Sequence, residues 1–305
     1  LVNLKENLIR ENINCNIFLM HSAGGLMTLE NASEYPVRLV ESGPAGGAMF
    51  SAKISKILGY KKVLSFDMGG TTAKICLIKN HSPKNSRVFE VARSYRFKKG
   101  SGMPISIPAI DMVEIGAGGG SIASLDLLNQ IKVGPLSSGS EPGPVCYDNG
   151  GEEPTVTDAD LILGKINQEN FAGGKIKLNL KNTKIAFKKN LQDKLKLNLT
   201  EAAYGVAEFV DENMSNAARV HAIENGEDIS DYTMIAFGGA APLHASRVCQ
   251  KLGINKCIIP HGAGVGSAIG FLYAPYSFQA TRTLCMNLNN FSSIEVSNLI
   301  QKLEK

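Results

Sequence analysis

The sequence has 305 residues, of which 44% are hydrophobic and 20% are charged, and its formal net charge is +4. This composition is typical of a folded globular protein with one large domain or two ordinary ones. The net charge is too small to indicate nucleic acid as the main partner, and no uninterrupted run of ~18 apolar residues predicts a membrane span. The six cysteines form no C-x-x-C pair, so we expect reduced thiols and a cytoplasmic location.

The first clear elements along the chain are a helix and a β-hairpin. Residues 47–58 carry apolar side chains at helical spacing and are followed by a glycine, which predicts a helix that ends there. Residues 42–47 precede this helix, either as a plain turn or as an anion-binding helix N-terminus. Two β-rich runs flank Gly69-Gly70, and this pattern predicts a hairpin over residues 61–79.

The middle of the chain has weaker patterns. Residues 80–108 are basic and interrupted by Pro, Ser and Gly, which predicts strand and loop. A short strand over residues 113–115 leads into the glycine-rich run 116–121. Residues 134–154 are rich in Gly, Pro and Ser, so we expect a loop there, either ordered or flexible.

The second half of the chain alternates helices and strands. Thr157 and Asp160 have the spacing of a capping box at the start of a helix. The clearest helix begins at Thr200 and ends at Gly226, and its apolar stripe includes His221. The remaining predicted elements are a strand over 233–237, a helix over 242–252, a strand over 257–260 and helices over 264–272 and 293–305. This alternation predicts an α/β architecture.

Two glycine turns are candidates for a phosphate site. In the run 67–72, glycine main chain at Gly69 and Gly70 allows a phosphate to approach closely, and Thr71 and Thr72 supply hydroxyl donors. Asp67 supplies a carboxylate that can hold Mg²⁺ through water. The predicted strand-to-helix turn repeats this pattern with Gly238, Gly239, Ala240 and Pro242. Taken alone, each pattern is also that of an ordinary tight turn.

Two other patterns carry less information. Residues 118–123 fit the dinucleotide fingerprint, but the loop 134–139 stands where that fingerprint requires a carboxylate at a strand end. A Rossmann dehydrogenase is therefore disfavoured. No two histidines have the spacing of metal ligands. His221 is expected in the core, whereas His244 directly follows a glycine turn and is a candidate for the substrate site.

Several segments in their order resemble the hydantoinase A/5-oxoprolinase family, and the beta subunits of acetone carboxylases are similar too. These segments are 67–72, 114–123, 134–147, 154–164 and 236–245. The resemblance implies an actin-like (ribonuclease H-like) ATPase lobe with insertions. It also implies that 67–72 is a phosphate hairpin, that 237–242 is an adenosine motif and that 264–269 belongs to a helix linking two lobes.

The resemblance further implies an activity. Members of the family couple ATP hydrolysis to the opening of a cyclic amide or imide such as 5-oxoproline or a hydantoin, by phosphorylating the amide oxygen with ATP and Mg²⁺. The alternatives are a subunit of an ATP-dependent ketone carboxylase and a non-catalytic nucleotide-binding module. We expect a hydantoinase B-like partner subunit and an oligomer. The expected substrate residues are Arg93, Arg96, Gly118, Gly119, Gly120, Ser121 and His244.

The resemblance also predicts how the chain is divided. Residues 1–60 are expected to be a linker and the end of a first lobe, and residues 61–275 a second nucleotide-binding lobe. A substrate-side insertion is expected at about 80–200, and a C-terminal region begins at 276. Family members carry another phosphate hairpin in the first lobe, and nothing before His21 resembles one. We therefore expect this chain by itself to fold at least partly without hydrolysing ATP at an enzymatic rate.

Overall fold

A computed structural model describes residues 1–91, 100–278 and 282–304. The helices are α1 (Val2–Arg10), α2 (Leu29–Glu34), α3 (Ser42–Leu58), α4 (Val156–Ile162), α5 (Leu180–Phe187), α6 (Asp193–Leu195), α7 (Leu199–Glu224), α8 (Ala241–Leu252), α9 (Gly266–Phe271) and α10 (Ser293–Glu304). The strands are β1 (Phe18–Met20), β2 (Leu26–Thr28), β3 (Lys62–Met68), β4 (Ala73–Lys79), β5 (Ser82–Pro83), β6 (Asn85–Ser86), β7 (Phe89–Val91), β8 (Met103–Ile105), β9 (Ala109–Ile110), β10 (Met112–Ile115), β11 (Ser121–Leu125), β12 (Ile131–Ser137), β13 (Thr233–Phe237) and β14 (Cys257–Ile258).

A mixed sheet lies at the centre of the described chain. Its strand order is β10-β4-β3-β13-β14, and β5 pairs with β4. Strands β3, β4 and β10 form an antiparallel meander, whereas β13 runs parallel to both β3 and β14. Numbered along the chain, the five main strands have the order 3-2-1-4-5. Because β3 and β13 are parallel neighbours, with Phe237 opposite Asp67, both strands end at the same edge of the sheet.

Two apolar cores cover the two faces of this sheet. Successive side chains of a strand point to opposite faces, so Leu64 and Phe66 pack in one core and Val63 in the other. Helices α4, α7 and α8 contribute to the first core, and α3 and α9 contribute to the second. The predicted hairpin and the predicted helix beginning near Thr200 are confirmed as β3–β4 and α7. His221 is buried, as expected of a core histidine.

Helix α3 begins at Ser42, so residues 42–47 belong to the helix and not to a turn before it. The glycines of this segment are used for packing. A Cβ on Gly46 would lie 2.6 Å from the carbonyl oxygen of Ser267, and a Cβ on Gly270 would overlap the carbonyl oxygen of Gly46. Glycine therefore brings the backbones of α3 and α9 into contact, and this packing overrides its low helix propensity.

The capping box of α4 uses Thr155 and Asp158. The predicted pair of Thr157 and Asp160 is wrong, because both side chains have partners elsewhere. The Thr157 hydroxyl donates a hydrogen bond to the carbonyl oxygen of Gly119 at 2.8 Å, which ties α4 to the glycine-rich run.

The predicted loop 134–154 is partly regular. Strand β12 continues to Ser137 in an antiparallel pair with β11. Further on, the buried carboxylate of Asp158 accepts hydrogen bonds from the backbone N–H groups of Val145 and Cys146 at 3.1 and 2.7 Å. These bonds attach a 3₁₀ turn over Val145–Tyr147 to the start of α4. A buried carboxylate thus orders a segment whose composition predicts only a loop.

The predicted domain boundaries remain predictions, but two segments pack differently from what they suggest. Helix α3, assigned to a linker region, shares a core with β3. Strand β10, assigned to an insertion, is part of the central sheet. None of the helices within the described ranges is both long and apolar enough to cross a membrane. All six cysteines are free thiols.

Candidate active site

The turn of the β3–β4 hairpin lies at the sheet edge where β3 and β13 end. The N–H of Gly69 donates to the carbonyl oxygen of Thr72 at 3.1 Å and closes the turn. A Cβ added to Gly69 or Gly70 would meet no heavy atom within 4 Å. The main chain of the turn is therefore open on this side, as close approach by an anion requires.

The second glycine turn is fastened to the first. Gly238 has φ +95°, and a Cβ there would overlap the carbonyl oxygen of Met68 and lie 2.6 Å from Oδ1 of Asp67. The N–H of Ala240 donates to the same Met68 carbonyl at 2.9 Å. A Cβ on Gly239, in contrast, would meet nothing within 4 Å. One glycine of this pair allows close packing, and its neighbour faces open space.

Helix α8 starts directly after this turn. Pro242 lies in its first turn, where the missing N–H of proline costs no helical hydrogen bond. The N–H groups of a first helical turn lack intrahelical partners and lie at the positive end of the helix dipole. The two turns assigned to the nucleotide, at Gly70 and Gly239, therefore lie side by side at one edge, next to a helix N-terminus.

The glycine-rich run 116–121, which follows β10, packs against the turn of the β3–β4 hairpin. The N–H of Gly119 donates to the carbonyl oxygen of Gly69 at 3.0 Å, and the N–H of Gly120 donates to that of Gly70 at 2.6 Å. The hairpin turn is thus held by main-chain hydrogen bonds from a second segment.

The other residues of this run are also buried. A Cβ on Gly118 would lie 2.7 Å from both the carbonyl carbon of Gly70 and the backbone nitrogen of Thr71. The hydroxyl of Ser121 accepts the N–H of Gly118 at 2.8 Å. The expectation that residues 118–121 line a substrate pocket does not fit this placement, because they are buried against the turn that they support.

A lysine that the sequence analysis did not select lies in β4, next to the hairpin turn. Lys74 donates from Nζ to Oγ1 of Thr72 at 2.5 Å and pairs with Oε1 of Glu114 at 3.1 Å. Because the Thr72 oxygen accepts this bond, the hydroxyl proton of Thr72 remains available to another acceptor. Thr71 is exposed. The lysine adds positive charge to the turn.

Asp67, at the end of β3, faces the same edge. Its Oδ2 accepts a hydrogen bond from the hydroxyl of Ser267 in α9 at 2.8 Å. Burial raises the pKa of the Asp67 carboxyl, while the Ser267 hydrogen bond and the charge of Lys74 oppose that rise. Within residues 1–91, 100–278 and 282–304, no three His, Cys, Asp or Glu side chains group together as a metal site would require.

His244 lies in α8 below the second turn. Its ring is fully buried, with Nδ1 2.7 Å from Oδ1 of Asp211 and Nε2 3.1 Å from Oδ2 of Asp160. Lys165 forms an ion pair with the other Asp160 oxygen at 2.9 Å. Burial alone would lower the pKa of His244, but the two carboxylates outweigh it and raise the pKa to about 9. The direct substrate role expected of His244 does not fit a ring that two carboxylates enclose.

A cavity of about 370 Å³ adjoins β10 and the start of α3. Glu41 and Glu114 both line it, and Glu114 connects it to the hairpin through Lys74. Burial raises the pKa of Glu41, and the negative charge of Glu114 raises it further. Glu41 also has φ 59°, a left-handed conformation that is uncommon outside glycine. Arg93 and Arg96 lie outside the described residues, so their role stays a prediction.

Comparison with known proteins assigns the chain to a family. The family model described as hydantoinase/oxoprolinase matches residues 1–280. The chain belongs to the hydantoinase/oxoprolinase family. An uncharacterized protein of Methanocaldococcus jannaschii is 39% identical over 306 residues, which cover 99% of this chain and 45% of that protein.

Two solved structures share the mixed α/β fold. The crystal structure of the ATP-dependent caprolactamase from Pseudomonas jessenii matches 99% of this chain and 43% of its own, with 31% identity and a TM-score of 0.79. A nucleotide-free acetone carboxylase matches 88% of this chain and 37% of its own, with 30% identity and a TM-score of 0.78. The chain spans less than half the length of these relatives.

The sequence motifs selected the two glycine turns but not the residues that support them. Lys74 lies in β4 two residues after Thr72, and this position next to the turn was the available signal for it. Nothing in the sequence indicates that Ser267 reaches Asp67, because 200 residues separate them. Asp211 lies within an apolar helix pattern, and only the tertiary fold brings it to His244.

Proposed function

We propose that this chain is the nucleotide-binding part of an enzyme that uses ATP to open a cyclic amide or imide, such as 5-oxoproline or a hydantoin. The observation that carries the proposal is the pair of open glycine turns, at Gly70 and Gly239, at the edge where two parallel strands end. Open main chain beside a helix N-terminus suits a polyphosphate. The family membership supplies the type of reaction.

The proposed fold is an actin-like, ribonuclease H-like ATPase lobe. The strand order 3-2-1-4-5, the antiparallel meander of β3, β4 and β10, and helices on both faces of the sheet support it. In this arrangement the β3–β4 turn binds phosphates through Gly69, Gly70, Thr71 and Thr72. The turn 238–240 and the start of α8, with Pro242, lie against the nucleoside.

Asp67 fits the Mg²⁺ ion that the family implies. Mg²⁺ keeps several waters and is usually bound through one or two carboxylates together with substrate phosphates, so a single aspartate beside an open phosphate turn is sufficient. Bound Mg²⁺ would neutralise charge on the phosphates. In the protein itself, Ser267 orients the Asp67 carboxylate, and Lys74 supplies a second positive charge beside Thr72.

The chemical logic follows from the weak reactivity of amides. An unstrained ring amide is a poor electrophile, and transfer of the γ-phosphoryl group to its oxygen makes the carbon attackable by water. The cavity of about 370 Å³ that Glu41 and Glu114 line has a size ordinary for small-molecule sites, and it adjoins Lys74. We place the ring there, with a hydantoinase B-like subunit completing the site in a cytoplasmic oligomer.

A ketone carboxylase subunit is the second candidate. The observation that favours it is the acetone carboxylase match, whose TM-score of 0.78 is close to the 0.79 of the caprolactamase. Steady-state ATP hydrolysis by the full-length protein separates the two. Stimulation by hydantoin, 5-oxoproline or caprolactam supports the amidase, and stimulation by acetone with bicarbonate supports the carboxylase. ATP turnover that none of these compounds stimulates contradicts both.

Replacing Asp67 with asparagine tests the site itself. We expect Asp67→Asn to lower ATP turnover by at least about a hundredfold in the full-length protein, because the neutral amide is a poor Mg²⁺ ligand of the same shape. The midpoint temperature of thermal unfolding of Asp67→Asn should differ little from that of the unsubstituted protein. Asp193→Asn, at an exposed aspartate of α6, is the matched control. Full activity of Asp67→Asn would remove Asp67 from the site.

A further inference from the structure

A second pocket, of about 140 Å³, lies at the β1–β2 hairpin. Residues just after α9 complete it. The N–H of Leu26 donates to the carbonyl oxygen of Pro275 at 2.8 Å, and Leu26 forms a parallel bridge with Tyr276. The ring of Tyr276 lies edge-on to that of Phe18, with 4.8 Å between centroids. The pocket is thus built from segments about 250 residues apart in the chain, and none of them belongs to the two glycine turns at the end of β3 and β13.

Hydrogen bonding fixes where the protons lie in this pocket. The N–H of Ala23 donates to Nδ1 of His21 at 3.2 Å, so Nδ1 carries a lone pair. Burial and the charge of Arg38 lower the pKa of His21, which favours the neutral ring. The single ring proton is therefore on Nε2, which lies 2.6 Å from Oγ of Ser277 and donates to it.

This direction has two consequences for Ser277. His21 cannot act as a general base toward the serine, because the nitrogen facing the hydroxyl already carries a proton. The serine oxygen accepts from His21, so the hydroxyl proton of Ser277 is available to a further acceptor. Gly25 makes this contact possible, since a Cβ there would overlap Oγ of Ser277 and lie 2.7 Å from Nε2 of His21.

Arg38 gives the pocket its charge. Its backbone carbonyl accepts hydrogen bonds from the N–H and the hydroxyl of Ser22 at 2.8 and 2.7 Å, which ties the residue to the hairpin. Its guanidinium lies 5.6 Å from the ring centroid of Tyr35. None of the residues that line the pocket is acidic. Arg38, with its positive charge, and Ser277, with its available hydroxyl proton, therefore both line a small pocket that has no acidic lining residue.

We propose that this pocket binds a small carboxylate anion. The planar guanidinium of Arg38 matches a carboxylate in bidentate fashion, and the Ser277 hydroxyl donates a further hydrogen bond. The side-chain amide of Asn31, another lining residue, is an additional donor. A pocket of about 140 Å³ has room for an acetate-sized group.

Isothermal titration calorimetry of the 305-residue chain with sodium acetate tests the proposal, with sodium chloride at equal ionic strength as the reference. We expect saturable binding of acetate that chloride does not reproduce. Arg38→Gln and Ser277→Ala should each weaken it, the former by about tenfold or more. Arg10→Gln, which removes an exposed arginine of α1, should leave the affinity unchanged.

Circular dichroism establishes that each variant is folded. If Arg38→Gln misfolds, Ser277→Ala carries the test, because it removes one hydroxyl and no charge. Unchanged acetate affinity in the folded variants would overturn the proposal, and so would binding of chloride equal to that of acetate. Tighter binding of inorganic phosphate than of acetate would overturn the assignment to a carboxylate. None of these outcomes depends on ATP turnover, so the proposal stands or falls separately from the nucleotide site.

Discussion

The glycines at the sheet edge where β3 and β13 end are of two kinds. Gly118 and Gly238 touch main chain, and a Cβ on either would collide with the hairpin. Gly70 and Gly239 face open space and would accept a Cβ without contact. The first kind holds the edge together, and the second kind leaves it accessible. A glycine-rich motif therefore combines packing with ligand access, and only the structure separates the two.

The largest effect on stability is expected at Gly238. Alanine there must adopt φ +95° and overlap the Met68 carbonyl. We expect Gly238→Ala to lower the free energy of unfolding by about 3 kcal/mol or more, from left-handed strain and overpacking together. Urea unfolding followed by circular dichroism measures it. A midpoint equal to that of the unsubstituted chain would break the distinction between the two kinds of glycine.

The second-largest effect on stability is expected from the buried charge of His244, which lies below the same turn. The pKa of His244 is raised to about 9 from an ordinary value near 6.5, so its contribution to stability is complete below pH 6.5 and is lost as the pH rises through about 9. We expect the free energy of unfolding to fall by on the order of 2–3 kcal/mol between about pH 6.5 and about pH 9.

Urea unfolding at about pH 6 and about pH 9.5 measures this loss. His244→Gln should be less stable at the lower pH and should lose much of the pH dependence. His261→Gln, at an exposed histidine, should retain it. If His244→Gln lost as much unfolding free energy between the two pH values as the unsubstituted chain, other groups would cause the pH dependence. His244 would then not support the turn by its charge.

The smallest effect on stability is expected at Gly239. Its φ is not positive and a Cβ there meets nothing, so Gly239→Ala should change the free energy of unfolding by less than about 1 kcal/mol. The added methyl group should nevertheless obstruct the nucleotide and weaken ATP binding by roughly tenfold. Fluorescent-nucleotide titration checks this. Unaltered affinity would move the nucleotide away from Gly239.

Local patterns predicted most of the regular elements. The β3–β4 hairpin and α7 follow from residue periodicity and turn glycines, and both are confirmed. The start of α3 was wrong because Gly46 reads as a turn residue, whereas its packing against α9 depends on a segment more than 200 residues away. Local periodicity contains no information about such a contact.

The site was predicted less completely, for the same reason. The turns at Gly70 and Gly239 were selected from their composition, and the structure brings them together. His244 was selected because it follows a turn, but its surroundings are set by Asp160 and Asp211, which lie on two other helices. Whether a polar side chain faces a ligand or an internal partner depends on packing that the local sequence does not encode.

The crossing of α3 and α9 at Gly46 and Gly270 has a mechanical consequence. The two backbones touch with no side chain between them, so neither helix has a compressible layer that would let it slide independently. One turn before Gly270, Ser267 holds the carboxylate of Asp67. A displacement of α3 would therefore also displace α9, and with it the Ser267 hydroxyl that donates to Asp67 at the end of β3.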